Sequence, residues 1–257
     1  MIGLFRKIRQ KFIIKQAYKE YFKYAFGELI LVVLGILIAL QINNWNEVRK
    51  QNIKVKAYCE KISEEITSMV ELIDYNTKYY EGTTNDLYEN VLFLGANKNT
   101  SDDFFKKKLK VLLDCDAQTL YFPVINEFLD QGYLVNINDN QIRKQFEHFK
   151  YYEMQIKVND DLRNEFCIMQ LQPYIQKNIN YADVMLKPEK NKHFNLPDVS
   201  VKSGHETDFN KLGGSIELWN LLYRKIEIQR ETIIINKSLI RVLTKLKLDI
   251  DKFKSKL

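Results

Sequence analysis

Apolar positions follow two different patterns along this chain. From Leu29 to Leu40, twelve residues in succession carry no polar side chain. Beyond Trp45 the apolar residues are spaced instead. Between Val48 and Tyr80 they recur at Tyr58, Ile62, Ile66, Met69, Ile73 and Tyr80, at intervals of 4, 4, 3, 4 and 7, which is one face of a helix. No Pro or Gly separates this stretch from Trp45, so it is expected to continue the preceding helix. Gly82-Thr83-Thr84 predicts its end. A second helix is expected over Asp86–Leu94, stopping at Gly95, and a third over Asp103–Leu113 after Asn99-Thr100-Ser101-Asp102.

Thr119 to Gln131 reads as a further helix, with Pro123 in its first turn and Gly132 as a C-cap. Asn138 and Gln141 form a capping-box variant. The helix they open runs to about Leu171 and carries Ile142, Phe146, Phe149, Met154, Ile156, Leu162, Phe166 and Met169, with Pro173 expected to kink or end it. Residues 183–214 hold Pro188, Pro197, Gly204, Gly213 and Gly214 and are expected to be irregular. The last helix, Ser215 to about Phe253, presents Leu218, Leu222, Ile226, Ile233, Ile240, Leu243 and Ile250. Its lysine-rich end suits the helix dipole.

Composition agrees with these elements. The 257 residues include only 9 Gly and 4 Pro, too little turn punctuation for a sandwich or a doubly wound sheet. The expected fold is all-α: a single N-terminal transmembrane helix followed by a helical-bundle domain of four or five long helices. The expected segments are 1–23, basic and juxtamembrane; 24–42, the span; and 43–257, the bundle, with its irregular loop at 183–214. Cys59, Cys115 and Cys167 are too few and too scattered for a disulfide framework or a CxxC metal site. One disulfide at most can form, and all three are expected to be ordinary cysteines on helix faces.

Residues 24–42 make 19 positions interrupted only by Glu28 and Gln41. As a helix they reach roughly 28 Å, at about 1.5 Å per residue, which matches a bilayer core. Lys23 precedes the stretch and Trp45 follows it, both fitted to the headgroup level. Gln41-Ile42-Asn43-Asn44-Trp45 is a poor cleavage site, so an uncleaved signal anchor is expected. Glu28 is the one acid at membrane depth, and Gly35 and Ala39 form a small-xxx-small pair on roughly its face, which predicts helix packing there.

Net charge sharpens the reading. The formal charge is +6, yet seven bases and one acid lie in residues 1–27, which leaves 32 of each sign for the rest. The excess therefore belongs to the flank: Arg6, Lys7, Arg9, Lys11, Lys15, Lys19 and Lys23. Seven bases before the span face five after it (Arg49, Lys50, Lys54, Lys56, Lys61), which favours the N-terminus in the cytoplasm. Residues 2–22 are amphipathic as well as basic, so contact with anionic lipid is a second role for Arg6, Lys7, Arg9, Lys11, Lys15 and Lys19. A body with no net charge gives no support to nucleic-acid binding.

Residues Gly27–Glu47 (GELILVVLGILIALQINNWNE) closely resemble the opening signature of a family of uncharacterised single-pass membrane proteins of Bacteroidota. Phe5–Lys11 is similar to the start that precedes that family's span. Glu127–Leu134 and Leu171–Tyr174 look like weaker family motifs, with Gln131 in place of a small residue. The resemblance implies a single-pass membrane protein with a helical domain. It implies no activity.

Catalytic motifs are missing from the sequence: no P-loop, GxGxxG, GxSxG or HExxH occurs. His148 reads as a surface residue. His193 and His205, with Asp198, Glu206 and Asp208, lack the spacing of a metal site and read as a solvated loop. Lys106-Lys107-Lys108 reads as a solvated helix face. The pairs Tyr79-Tyr80, Tyr121-Phe122 and Tyr151-Tyr152 read chiefly as core packing. No cofactor and no metal are expected. The expected function is that of a membrane-anchored, non-enzymatic interaction or scaffold protein in a bacterial cytoplasmic membrane, its main domain periplasmic and its partners lipid, a second copy or another membrane protein. The alternative is an extracytoplasmic, sensor-like ligand-binding module. The 23 residues before the span are few for an enzymatic output domain, so it would signal through a partner.

Overall fold

The computed structural model describes residues 18–95, 111–112, 115, 118–180 and 207–256. Every regular element among them is helical. The long helix α1 spans Tyr18–Gly95, α2 Pro123–Asp130, a 3-10 turn Tyr133–Asn136, α3 Asn140–Phe166, a π-helical turn Cys167–Leu171, α4 Gln172–Asn178, α5 Phe209–Gly213 and α6 Ile216–Lys254. Four or five long helices are expected from sequence; among the described residues three are long, at 78, 27 and 39 residues. The chain divides into two compact units, one ending at Ala57 and the other Tyr58–Lys256.

Within the first unit α1 supplies the apolar run. Every residue from Leu29 to Leu40 is exposed. Among the described residues one helix is long and apolar enough to cross a membrane, with an 18-residue window of mean hydropathy 2.4 and none of that window buried. A water-soluble core helix would hide such a stretch.

The second unit is built on α1, α3 and α6. Ser63 pairs with Asp251, and Thr84 with Gln229, so α6 runs antiparallel to α1. Gln141 reaches Asp249, and Arg163 reaches Thr232, so α6 also runs antiparallel to α3. On α1 the core stripe is Ile62, Ile66, Ile73, Tyr80, Leu87 and Val91, all buried. The predicted break at Gly82 does not occur. Glycine inside a helix costs about 1 kcal/mol. Burial of Leu87 and Val91 beyond it returns about 1.5–3 kcal/mol for each side chain, so the helix continues.

Several predicted ends move for local reasons. Helix α2 begins at Pro123 rather than Thr119, and Phe122, which precedes it, has no side chain able to cap. Glu65 of α1 caps it instead, its two carboxylate oxygens accepting from the Val124 and Ile125 amides at 2.9 Å each. Gly132 follows at φ 72°, a left-handed conformation open to glycine at little cost. Helix α3 is capped by Asp139, not Asn138. The Asp139 carboxylate accepts from the Gln141 and Ile142 amides, and Gln141 is left to reach α6. Near Pro173 the α-helix widens into the π turn before α4 begins. Proline has no amide to give the carbonyl four residues back, and that residue, Met169, lies inside the π turn. Met154 and Met169, expected on the core face of α3, are exposed at 54% and 70%.

The last helix matches its expected span closely, and Ser215 caps it by accepting from the Leu218 amide. Ahead of it, Asp208 caps the short α5. One member of two of the three aromatic pairs is core: Tyr80 and Phe122 are buried while Tyr79 and Tyr121 are exposed. Tyr151 is exposed and Tyr152 half-buried. The cysteines depart from expectation, since Cys115 and Cys167 form a disulfide with Cα atoms 6.0 Å apart and only Cys59 is free. Its burial pushes the Cys59 thiol up to about 11, so it stays a protonated, packed side chain.

Candidate functional site

The stripe that α6 turns inward is more regular than its apolar letters suggest. Leu218, Leu222, Lys225, Gln229, Thr232, Asn236, Leu239, Leu243, Leu246 and Ile250 alternate by four and three residues, and all are buried. This is a heptad seam. Four consecutive seam positions, Lys225 to Asn236, are polar. Opposite them α1 presents Thr77, Tyr80 and Thr84, and α3 presents Asn159 and Arg163, all buried too.

Most of these side chains bond to one another. Asn236 and Gln118 exchange reciprocal amide hydrogen bonds at 2.7 and 3.0 Å, and Asn236 also donates to Thr77 Oγ1 at 3.2 Å. Thr84 donates to Gln229 Oε1 at 3.0 Å. Arg163 donates through Nη1 to Tyr80 Oη at 2.8 Å and through Nη2 to Thr232 Oγ1. Its guanidinium carbon lies 4.7 Å from the Tyr80 ring centroid, close enough for cation–π attraction. Asn159 Oδ1 accepts from Thr232 at 2.6 Å. Lys225 donates to the Val111 and Leu112 carbonyls at 2.6 and 3.1 Å. A cavity of about 10 Å³ touches Tyr80, Arg163, Lys225 and Gln229, room for about one water-sized sphere.

The Cys115–Cys167 disulfide lies in the same region. With Lys225 and Gln118 it fastens the stretch before α2 to the π turn and to α6 at three points. A groove of about 670 Å³ opens between the 118–122 segment and α3. Leu120, Phe122, Met154 and Ile156 give it an apolar wall, and Lys150, Glu153, Lys157, Asp160 and Asp161 give it charges. Asp160 is the deepest of these acids, its side chain 15% exposed and its Oδ1 3.3 Å from Arg163 Nη1. Burial pushes its carboxyl up to about 6, against the opposing pull of Arg163 and with a push from Asp161.

The residues singled out from sequence lie elsewhere. Glu28, Gly35 and Ala39 are exposed on α1, and a Cβ added at Gly35 would meet nothing within 4 Å. Lys19 and Lys23 are exposed. Trp45 is 65% exposed, with the Arg49 guanidinium 6.0 Å from its ring centroid. Arg6, Lys7, Arg9, Lys11 and Lys15 fall outside the described residues, as do the 106–108 lysines, His193 and His205 and most of the 183–214 stretch. His148 is exposed on α3. Among the described residues no group of three or more His, Cys, Asp or Glu side chains is placed to hold a metal ion. The polar layer itself went unread in the sequence, although continuing the four–three register through polar letters would have found it. No protein-family model, curated protein or solved structure matches this chain.

Proposed function

We propose that this chain is a membrane-anchored, non-enzymatic helical interaction protein. Residues 24–42 hold it in a bacterial cytoplasmic membrane, with the N-terminus inside and the Tyr58–Lys256 unit outside the cytoplasm. The observation that carries the anchor is the exposure of every residue from Leu29 to Leu40, which nothing among the described residues covers. The disulfide supports the orientation, because such bonds persist in oxidising compartments and are rare in the cytosol. The seven-to-five excess of bases before the span supports the same side.

On this reading Lys23 and Trp45 mark the two interfaces, and the basic flank from Arg6 to Lys19 meets anionic headgroups. Glu28, Gly35 and Ala39 form the packing face toward a second copy or another membrane protein. A reporter active only in the cytoplasm, fused after Leu257, tests the orientation and is expected to be silent. Activity of that fusion would overturn it. Crosslinking in native membranes tests the interaction role, and recovery of monomer alone counts against it. The groove beside Asp160 favours a second reading, an extracytoplasmic ligand-binding module that signals through a partner.

A further inference from the structure

We infer that a second copy of this chain docks along α1 over residues 34–52, making a parallel two-stranded coiled coil that begins in the membrane and runs on beyond it. This rests on the interaction reading above and names its partner. The first support is register. Leu34, Ile38, Gln41, Trp45, Val48 and Asn52 follow one another at intervals of 4, 3, 4, 3 and 4, which is a heptad seam. Further steps of 3, 4, 3 and 4 reach Val55, Cys59, Ile62 and Ile66, each at most 1% exposed. One seam therefore runs along α1 and, among the described residues, is fully covered only from Val55 onward. Ahead of that point Trp45 is 65% exposed and Val48 54%. The opposite face is the one built for water, since it carries Lys54 and the Glu47–Lys50 ion pair.

The second support is self-complementarity. Two copies inserted in one membrane point the same way, so a two-fold pair sets each seam residue opposite its own counterpart. Gln41 and Asn52 suit that arrangement, because an amide is both donor and acceptor and can bond to its own copy. An asparagine at such a seam position sets register in two-stranded coils. The flanks agree. Asn44 and Gln51 stand just before Trp45 and Asn52, while Arg49 and Lys56 stand just after Val48 and Val55. In a parallel pair Asn44 of one copy meets Arg49 of the other, and Gln51 meets Lys56. Amide oxygens thus face cations, and no like charges oppose each other. A different protein would have to reproduce these polar positions at the same heights, whereas a second copy supplies them by symmetry.

The test uses the full chain in native membranes. Single cysteines are placed in turn at positions 44–53 of the Cys59→Ser variant, which keeps the Cys115–Cys167 disulfide, and are oxidised briefly. Disulfide-linked dimer is expected to peak at positions 45, 48 and 52 and to be at least tenfold weaker at 47 and 50. Energy transfer between two fluorescently labelled copies in vesicles supplies a second readout. Val48→Glu, at an exposed position outside the Tyr58–Lys256 unit, sets two carboxylates face to face and should cut the dimer fraction at least tenfold. Ile53→Glu, also exposed but off the seam, should leave it unchanged. Peaks at 47 and 50, an even level at every position, or loss of transfer with Ile53→Glu and not with Val48→Glu would overturn the inference and leave the interaction reading standing. So would monomer at every cysteine alongside an amine-reactive crosslink to a different protein. Monomer in both assays with no such crosslink would end both.

Discussion

Asn236 is fully buried and bonded to α1 through Thr77 and to the stretch ahead of α2 through Gln118. Polar side chains at seam positions cost stability but fix register, because only one alignment pairs them all. Asn236→Leu should leave the Gln118 amide and Thr77 without their partner and lower unfolding free energy by about 1–3 kcal/mol in urea titration. Asp160 gives a pH signature. Its folded-state value of about 6 stands above the ordinary 3.8, so the folded chain holds more protons between those two values. Stability from this group is therefore full below about 4 and is lost as pH rises through about 6. Melting temperature should fall from pH 5 to pH 7, and Asp160→Asn should flatten that slope. Asp251 acts the other way at lower pH. Burial alone would raise it, but hydrogen bonds from Lys247 and Ser63 hold it below its ordinary value, so its contribution is lost only as acid protonates it.

At the scale of elements, most helix starts follow local sequence and one follows a tertiary partner. Ser215 and Asp208 cap their own helices, and such caps are legible from sequence. Glu65 caps α2 from about 60 residues away, which no local pattern announces. Cys115 and residues 118–122 lie outside any helix, and the stretch ahead of α2 is held by Lys225, Gln118 and the disulfide. The disulfide joins two cysteines 52 positions apart in sequence. A loop of that size is worth about 2–4 kcal/mol through loss of unfolded-state freedom. The double substitution of Cys115 and Cys167 to serine should therefore lower the denaturation midpoint, whereas Cys59→Ser should not mimic it through redox. Wild type should show a reductant-dependent midpoint that the double variant lacks.

For the whole molecule, the charge map and the exposed apolar run define how the chain meets its surroundings. Replacing Arg6, Lys7, Arg9 and Lys11 with glutamine leaves three bases before the span against five after it. The positive-inside bias then reverses. Protease protection in spheroplasts should show a mixed or inverted population, while carbonate extraction should leave the variant in the membrane because Leu29–Leu40 is untouched. Loss of membrane association in that variant would mean that the flank, not the apolar run, holds the chain at the bilayer.

The helical class, the long unbroken stretches and the apolar run follow from residue spacing alone, since periods of three and four and a twelve-residue apolar block are local properties. The core face of α1 was legible for the same reason, at Ile62, Ile66 and Ile73. The polar layer was not, because a reading keyed to apolar letters skips Lys225, Gln229, Thr232 and Asn236 even though they keep the seam register. What those residues face is decided only by tertiary packing, which brings their donors and acceptors together. The pairing of Cys115 with Cys167, the remote cap from Glu65 and the groove beside Asp160 belong to the same class. Each depends on which distant residues share a neighbourhood, and sequence spacing carries no information about that until the helices are aligned.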